Sequence, residues 1–360
     1  MDSLLQSMAR AKSFLVSQIS DDHWSEFNSS TFGTSTDWAT GFVGYFLGDT
    51  FRDDRHARIS QWLLKRQRNG LWGWGYNVLP FPSDADSTAM CALFLNAHGY
   101  LSIAHKQQVI EGLFRHQQDN GGFATFQNAD VFAPVNPAPA DISFSGWCMA
   151  HGSVTASVLQ CLVALGVSPH DSRLARAFDY LEAQQTGLWE DYWWRDPFYA
   201  TYQAVTALKL REPRAAYPDV TRAIIAQQHP AGYWECDGVE SGFSSGMAIK
   251  ALLQAGHAGK NVWLGIRRLL DTQLADGSWT NAAILQIPAP TDTRADRDQI
   301  SKIHADDNRV FTTVAIYSAL LEARQQAEVQ PEATASKQHY FPFPAADVYK
   351  PRLRLRSERT

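Results

Sequence analysis

Two hydrophobic patterns alternate along this chain. One is a helix-length segment with a single apolar stripe that closes on a Gln; the other is a helix-length segment apolar on most sides. Between them come a Gly/Asp/Asn turn and an aromatic residue five to seven positions after the Gln. The unit recurs six times, as Gln18 to Trp24, Gln67 to Trp72, Gln117 to Phe123, Gln184 to Trp189, Gln227 to Trp234 and Gln273 to Trp279. The more apolar segment opens each time on a hydroxyl residue (Thr40, Thr88, Thr155, Thr201, Ser245, Thr313), with a Leu seven residues on.

A repeat that cannot bury its apolar face alone must stack on its neighbours. The pattern therefore predicts an all-α fold, an (α/α)6 toroid, in which an outer ring of amphipathic helices encloses an inner ring of apolar ones. It is expected to form a single domain over residues 1–324. The Gln amide is expected to satisfy free carbonyls at the helix end or in the neighbouring loop. The Gly supplies the left-handed residue that stops the helix, and the aromatic packs back over the turn. An open solenoid is the other arrangement, but it would need polar caps, so the ring is expected to close. No strand-like alternation of useful length interrupts the helices. Residues 325–360 depart from the pattern, with Pro331, Pro342, Pro344, Pro351 and an Arg-rich end. They read as an extended or partly disordered tail.

Composition sharpens this picture in a few places. A length of 360 residues alone suggests two domains, and the repeat overrides that prior. A net charge of -5 without a basic run argues against nucleic acid as a partner. Cys91, Cys148, Cys161 and Cys236 lack CxxC pairing and read as reduced thiols of a cytoplasmic protein. The segment from Met1 to Ser20 carries Arg10 and Lys12 and lacks the apolar stretch of a signal peptide. No segment approaches the roughly 18 apolar residues of a membrane span. The 12 Trp point to an aromatic cavity.

Aligning the inner segments on their hydroxyls shows what surrounds one mouth of the ring. Four positions before the hydroxyl stand Thr36, Asp84, His151, Pro197, Ser241 and Arg309; two before it stand Trp38, Asp86, Ser153, Tyr199, Phe243 and Phe311. Asp84 and Asp86 start an inner helix, where a carboxylate can cap free N–H groups. Two carboxyls with low solvent access can also hinder each other's ionisation and keep one protonated. His151 is placed to tune such an acid or to bond backbone. Arg309 is placed to hold an anionic group, or to pair with Asp306 or Asp307. Trp38, Trp74, Trp147, Trp194, Tyr199, Phe243 and Phe311 are candidates to wall a cavity for an apolar ligand, and their π faces suit a cation. Two insertions, about 124–146 and 281–308, leave the ring at the same end and are lid candidates.

The Gln-to-Trp repeat resembles the QW motif of squalene-hopene and oxidosqualene cyclases. The six-hairpin count resembles the β domain of class II terpene cyclases and the β subunit of protein prenyltransferases. Asp84-Ala85-Asp86-Ser87-Thr88-Ala89 is similar to the DxDD-T-A motif of class II cyclases, with Ser87 in place of the fourth-position Asp. The resemblance implies protonation-initiated cyclisation or isomerisation of a terpenoid or prenylated small molecule. Asp86 matches the catalytic acid and Asp84 its carboxylate neighbour, and the aromatics hold the cation. It implies a hydrophobic isoprenoid substrate and no cofactor, with Mg²⁺ entering only for a diphosphate substrate. Peripheral membrane contact and a homodimer are compatible with it.

Other readings stay open on the residues. A non-catalytic toroid binding a lipid or partner would keep the Asp pair as helix caps. A Zn prenyltransferase-like enzyme needs an Asp-x-Cys ligand pair, and Glu235-Cys236-Asp237 has the wrong order. A carbohydrate-active barrel would use two carboxylates in a Trp-rich cleft. No phosphate-cradling Gly loop and no DDxxD motif is present.

Overall fold

The computed structural model describes residues 2–51, 54–75, 82–132, 143–294, 300 and 302–329. The outer helices are α1 (Asp2–Ser17), α3 (Asp54–Lys65), α5 (Ile103–Phe114), α7 (Ser172–Ala183), α9 (Pro218–Ala226) and α11 (Lys260–Asp271). The inner helices are α2 (Asp37–Leu47), α4 (Ala85–Ala97), α6 (Gly152–Ala164), α8 (Phe198–Arg211), α10 (Gly242–Gln254) and α12 (Val310–Val329). Each inner helix packs on the next, and α12 packs back on α2, so the ring closes. α12 runs past the expected boundary at 324; the rest of the expected tail lies outside the described residues.

The repeat works as a staple. In five hairpins the indole Nε1 of the motif Trp donates to a carbonyl near the end of its outer helix: Trp24 to Leu15, Trp72 to Leu63, Trp189 to Leu181, Trp234 to Ile224 and Trp279 to Leu269. This satisfies a carbonyl that the helix end leaves free. The hydroxyl does not open the inner helix as expected. It is the fourth residue of each inner helix and grips the backbone of the motif aromatic instead. Thr88 Oγ1 accepts from Trp72 N at 3.0 Å and donates to Trp72 O at 3.0 Å. Thr40 and Ser245 repeat both bonds, and Thr155 and Thr201 make the first. Thr313 Oγ1 has no partner.

The Gln does more than close its own helix. Gln117 Nε2 donates to Gly121 O in its turn and to Arg173 O at the start of the next outer helix. Gln273 repeats this with Gly277 O and Ser7 O, which ties the last outer helix to the first. In the fifth repeat the work is done by Gln228, not the expected Gln227. Gly121 and Gly277 have φ of 91° and 93°, and a Cβ there would strike the carbonyl oxygens of Arg176 and Arg10. Only Gly meets both demands.

The connections divide by end. Those from inner to outer helix are short, such as 98–102 and 255–259, whereas all outer-to-inner connections are long. The long ones carry three antiparallel hairpins: β1 (Glu26–Ser29) with β2 (Gly33–Ser35), β3 (Trp234–Cys236) with β4 (Val239–Ser241), and β5 (Ala283–Gln286) with β6 (Ile303–Ala305). They gather at the N-terminal ends of the inner helices.

Candidate active site

At that mouth lies a cavity with about 540 Å³ between its walls, the opening included. Trp38 and Trp74 form one side, Trp193 and Trp194 another, and Phe32, Phe126, Leu285 and Ile287 come from the loops above. Asp84, Asp86, Ser87, Thr125 and Ser153 are its polar groups.

From Ala85 to Leu95 every residue of α4 is buried except Asp86. Protein nonetheless crowds the Asp86 carboxyl on all sides, because what it is exposed to is the cavity. Ser157 Oγ, on the neighbouring helix α6, donates to Asp86 Oδ1 at 2.8 Å. Burial pushes Asp86 up to about 6, outweighing the opposite pull of Ser157 and of the Trp38 indole. The Trp38 N–H lies near the carboxylate without hydrogen-bond geometry and has no partner. Asp84 is the N-cap of α4: its Oδ1 accepts from Ser87 N and its Oδ2 from Ser87 Oγ, both at 2.7 Å. Burial raises it to about 7 despite those bonds. The Ser at the fourth motif position thus serves Asp84. Asp37 is turned away into an ion pair with Arg66.

His151 does not reach the acid. It is the N-cap residue of α6, with Nδ1 2.9 Å from Thr125 Oγ1 and Nε2 3.0 Å from Gly146 O. Trp193 Nε1 donates to the same Thr125 hydroxyl at 2.8 Å. The consistent assignment runs Trp193 N–H to Thr125, Thr125 O–H to His151 Nδ1, and His151 Nε2–H to Gly146 O. Burial pushes His151 down to about 3, so it stays neutral and braces the wall. Arg309 faces the outer side, where it pairs with Asp276 at 3.0 Å, bonds Ser278 Oγ and covers the Phe14 ring. The expected Asp306 and Asp307 are not its ion-pair partners.

The aromatic candidates separate into three groups. Trp38, Trp74 and Trp194 line the cavity. Tyr199, Phe243 and Phe311 lie behind the lining as fully buried support, with Phe243 stacked on Trp194 at 4.8 Å and 4°. Trp147 belongs to a second apolar cluster over the mouth, with Phe126, Phe132, Tyr192, Ile287 and Ile300. The two insertions meet there. Gly146 N donates to Pro290 O at 2.8 Å, Trp147 Nε1 to Pro288 O at 3.0 Å and Tyr192 Oη to Asp292 O at 2.7 Å. Pro134, Pro137 and Pro139 of the first insertion lie outside the described residues.

Sequence reading placed Ser153 at the mouth, where it lines the cavity, but missed Ser157, Asp191, Trp193, Phe32 and the residues of β5. Ser157 stands one helical turn after Ser153 on a mostly apolar helix, a signal that was available. Among the described residues no three His, Cys, Asp or Glu side chains gather as a metal site, and no helix is long and apolar enough to cross a membrane.

No curated protein matches the chain. Among solved structures it is similar to the type II terpene cyclase MstE from Scytonema, with 28% identity and a TM-score of 0.78 over 90% of this chain and 99% of that one. An arginine-to-alanine variant of MstE in complex with its substrate, geranylgeranyl dihydroxybenzoate, gives 28% identity and a TM-score of 0.77 over 90% and 98% of the two chains. An ent-copalyl diphosphate synthase from Streptomyces platensis shares the fold, with 19% identity and a TM-score of 0.56 over 79% of this chain and 50% of that one. The profile of the squalene-hopene cyclase C-terminal domain matches residues 48–292, and the chain belongs to that family.

Proposed function

We propose that this protein is a class II-type cyclase that closes rings in a prenylated small molecule, with Asp86 as the acid that starts the reaction. One observation carries this reading: a half-buried carboxyl on an otherwise buried helix, held by Ser157 at one oxygen and presented to an aromatic cavity. With Oδ1 engaged by the serine hydroxyl, the proton belongs on Oδ2. Transfer to an alkene or epoxide leaves a carboxylate that Ser157 stabilises, which strengthens the acid. The positive charge then develops between indole faces from Trp38, Trp74, Trp193 and Trp194, where π stabilisation is strongest away from water. Asp84 holds the start of α4 and so the direction of Asp86.

The substrate class follows the relative. MstE binds geranylgeranyl dihydroxybenzoate, and the walls here suit a prenyl chain of the same kind. The clasp between the two insertions supports their role as a lid, which a one-ring cyclase needs to keep the cation dry. The test is incubation of wild type and Asp86→Asn with prenylated hydroxybenzoates, linear diphosphates, alcohols and epoxides, with products read by mass spectrometry. A cyclised product from wild type that is absent with a folded Asp86→Asn supports the assignment. Equal product from both leaves Asp86 a helix residue only.

A further inference from the structure

Helix α2 carries an aromatic residue on three successive turns of one face: Trp38, Phe42 and Phe46. The three meet different spaces along the axis of the ring. Trp38 lines the cavity at the mouth. Phe46, two turns further in, lines a second pocket at the C-terminal ends of the inner helices, with Tyr202, Lys250 and Glu322. Phe42 lines neither and is fully buried between them. Its ring stacks on Phe311 at 4.2 Å and 22° and meets Phe46 at 4.5 Å. It also touches two indoles that line the cavity, Trp38 at 5.9 Å and Trp194 at 6.2 Å, which are themselves 5.8 Å apart. Across the ring, on α6 and α8, Gln203 Nε2 donates to Tyr199 Oη at 2.8 Å and Gln160 Nε2 donates to Gln203 Oε1, all three side chains being buried. Rings on one side and hydrogen bonds on the other thus plug the axis between the two pockets.

We infer that Phe42 is the stop for the distal end of the prenyl chain, and so decides which double bond meets Asp86. This rests on the reading of Asp86 as the acid. The polar head of a prenylated hydroxybenzoate stays at the mouth, and its chain runs inward until it meets the plug. Asp86 stands in the first turn of α4, as Trp38 does in α2, and both line the cavity. A chain end halted there presents its last double bond to the acid. Removal of the Phe42 ring leaves space directly beneath the Trp38 and Trp194 rings, one helical turn or about 5.4 Å deeper. That is the reach of one isoprene unit. The last unit then slides past Asp86, and the next double bond toward the head takes the proton. The Asp86 O–H bond breaks, and the alkene pair becomes a C–H bond. The following alkene closes on the resulting cation, and the final cation loses a proton to solvent as its C–H pair becomes a double bond. One proton enters and one leaves, so the product is still an isomer of the substrate, with one ring fewer and its last unit uncyclised. Phe42 can be exchanged without stranding a polar group, which Tyr199 and Gln203 cannot.

Wild type, Phe42→Ala, Phe42→Leu and Phe46→Ala are compared on hydroxybenzoates carrying two to five isoprene units, and on the same compounds with saturated chains. Products of the first series are identified by mass spectrometry and NMR. Binding of the saturated series is read from quenching of Trp fluorescence and needs no catalysis. Phe42→Ala is expected to prefer a chain one unit longer. The ratio of kcat/KM, and of affinity, between adjacent lengths should change about tenfold or more. It should also make the product with one ring fewer from the chain that wild type cyclises best. Phe42→Leu shifts the same way by less, and serves if Phe42→Ala does not fold. Phe46→Ala, which enlarges only the second pocket, keeps the wild-type profile. An unchanged length preference in the Phe42 variants overturns the inference. So does an equal loss at every length, which makes Phe42 a packing residue only, and so does the same shift in Phe46→Ala. Asp86→Asn tests the underlying reading separately: cyclisation by that variant, or none by wild type, removes the acid, while the saturated series still reports on the stop.

Discussion

At the scale of the residue, the site turns on how one carboxyl is kept protonated. Burial raises Asp86 to about 6, and in the proposed reaction the acid form is the one that works. The rate kcat/KM is therefore expected to fall as pH rises through about 6, read from a pH profile on a cyclised substrate. Ser157→Ala removes a hydrogen bond that favours the carboxylate, worth roughly 1.5–3 kcal/mol for a charged partner. It is expected to move that fall to higher pH and to lower the rate about tenfold or more. Ser157→Thr keeps the hydroxyl and should recover much of both. Asp84 and Asp86 were legible because their motif is contiguous. Ser157 was not, because its meaning depends on the facing of α6 toward α4, which only the closed ring determines. His151 misled for the same reason: the alignment put it at the right level, but its ring turns to Thr125 and Gly146.

At the scale of the element, each hairpin is held by the hydroxyl that clasps the motif aromatic. Thr88→Val leaves the buried N–H and C=O of Trp72 without these bonds, and a loss of roughly 1–3 kcal/mol is expected. Thr313→Val removes a hydroxyl that bonds nothing and is expected to be nearly neutral or stabilising. Urea midpoints of the two variants at constant m-value check the contrast. Helices, their order and their two faces were legible because burial imposes a period on the sequence. The hydroxyl's true partner was not, since its bonds run to a residue 16 positions earlier at Trp72. Nor was the lid clasp, where Trp147 meets Pro288 across 141 residues. Short strands on the connections escaped notice because three or four residues are too few to show alternation.

At the scale of the whole molecule, closure leaves several carboxyls without water. Glu26, reaching from the first hairpin to the N–H groups of Asn308 and Val310, is raised to about 8 by burial. Asp84, Asp191 and Asp306 are raised to about 7. A carboxyl raised in the folded state binds more protons there than when unfolded. Its stabilisation is complete below its unfolded pKa and is lost as pH rises through the folded one. His116 and His151, lowered to about 4 and 3, act oppositely, but only below their unfolded pKa near 6.5. Between pH 6.5 and 8.5 the carboxyls act alone, so the thermal midpoint is expected to fall across that window. Glu26→Gln should shrink the fall, and calorimetry across the range shows whether it does.

The division of connections by end has one more consequence. The chain's start at α1 and the end of α12 both lie on the side of the short links, away from the mouth. Joining them would imitate an ordinary inner-to-outer link, and new termini could open in the 98–102 turn. In such a circular permutant every loop around Asp86 is unbroken, so chain order and chemistry become separable: the enzyme would be indifferent to which of its hairpins is synthesised first.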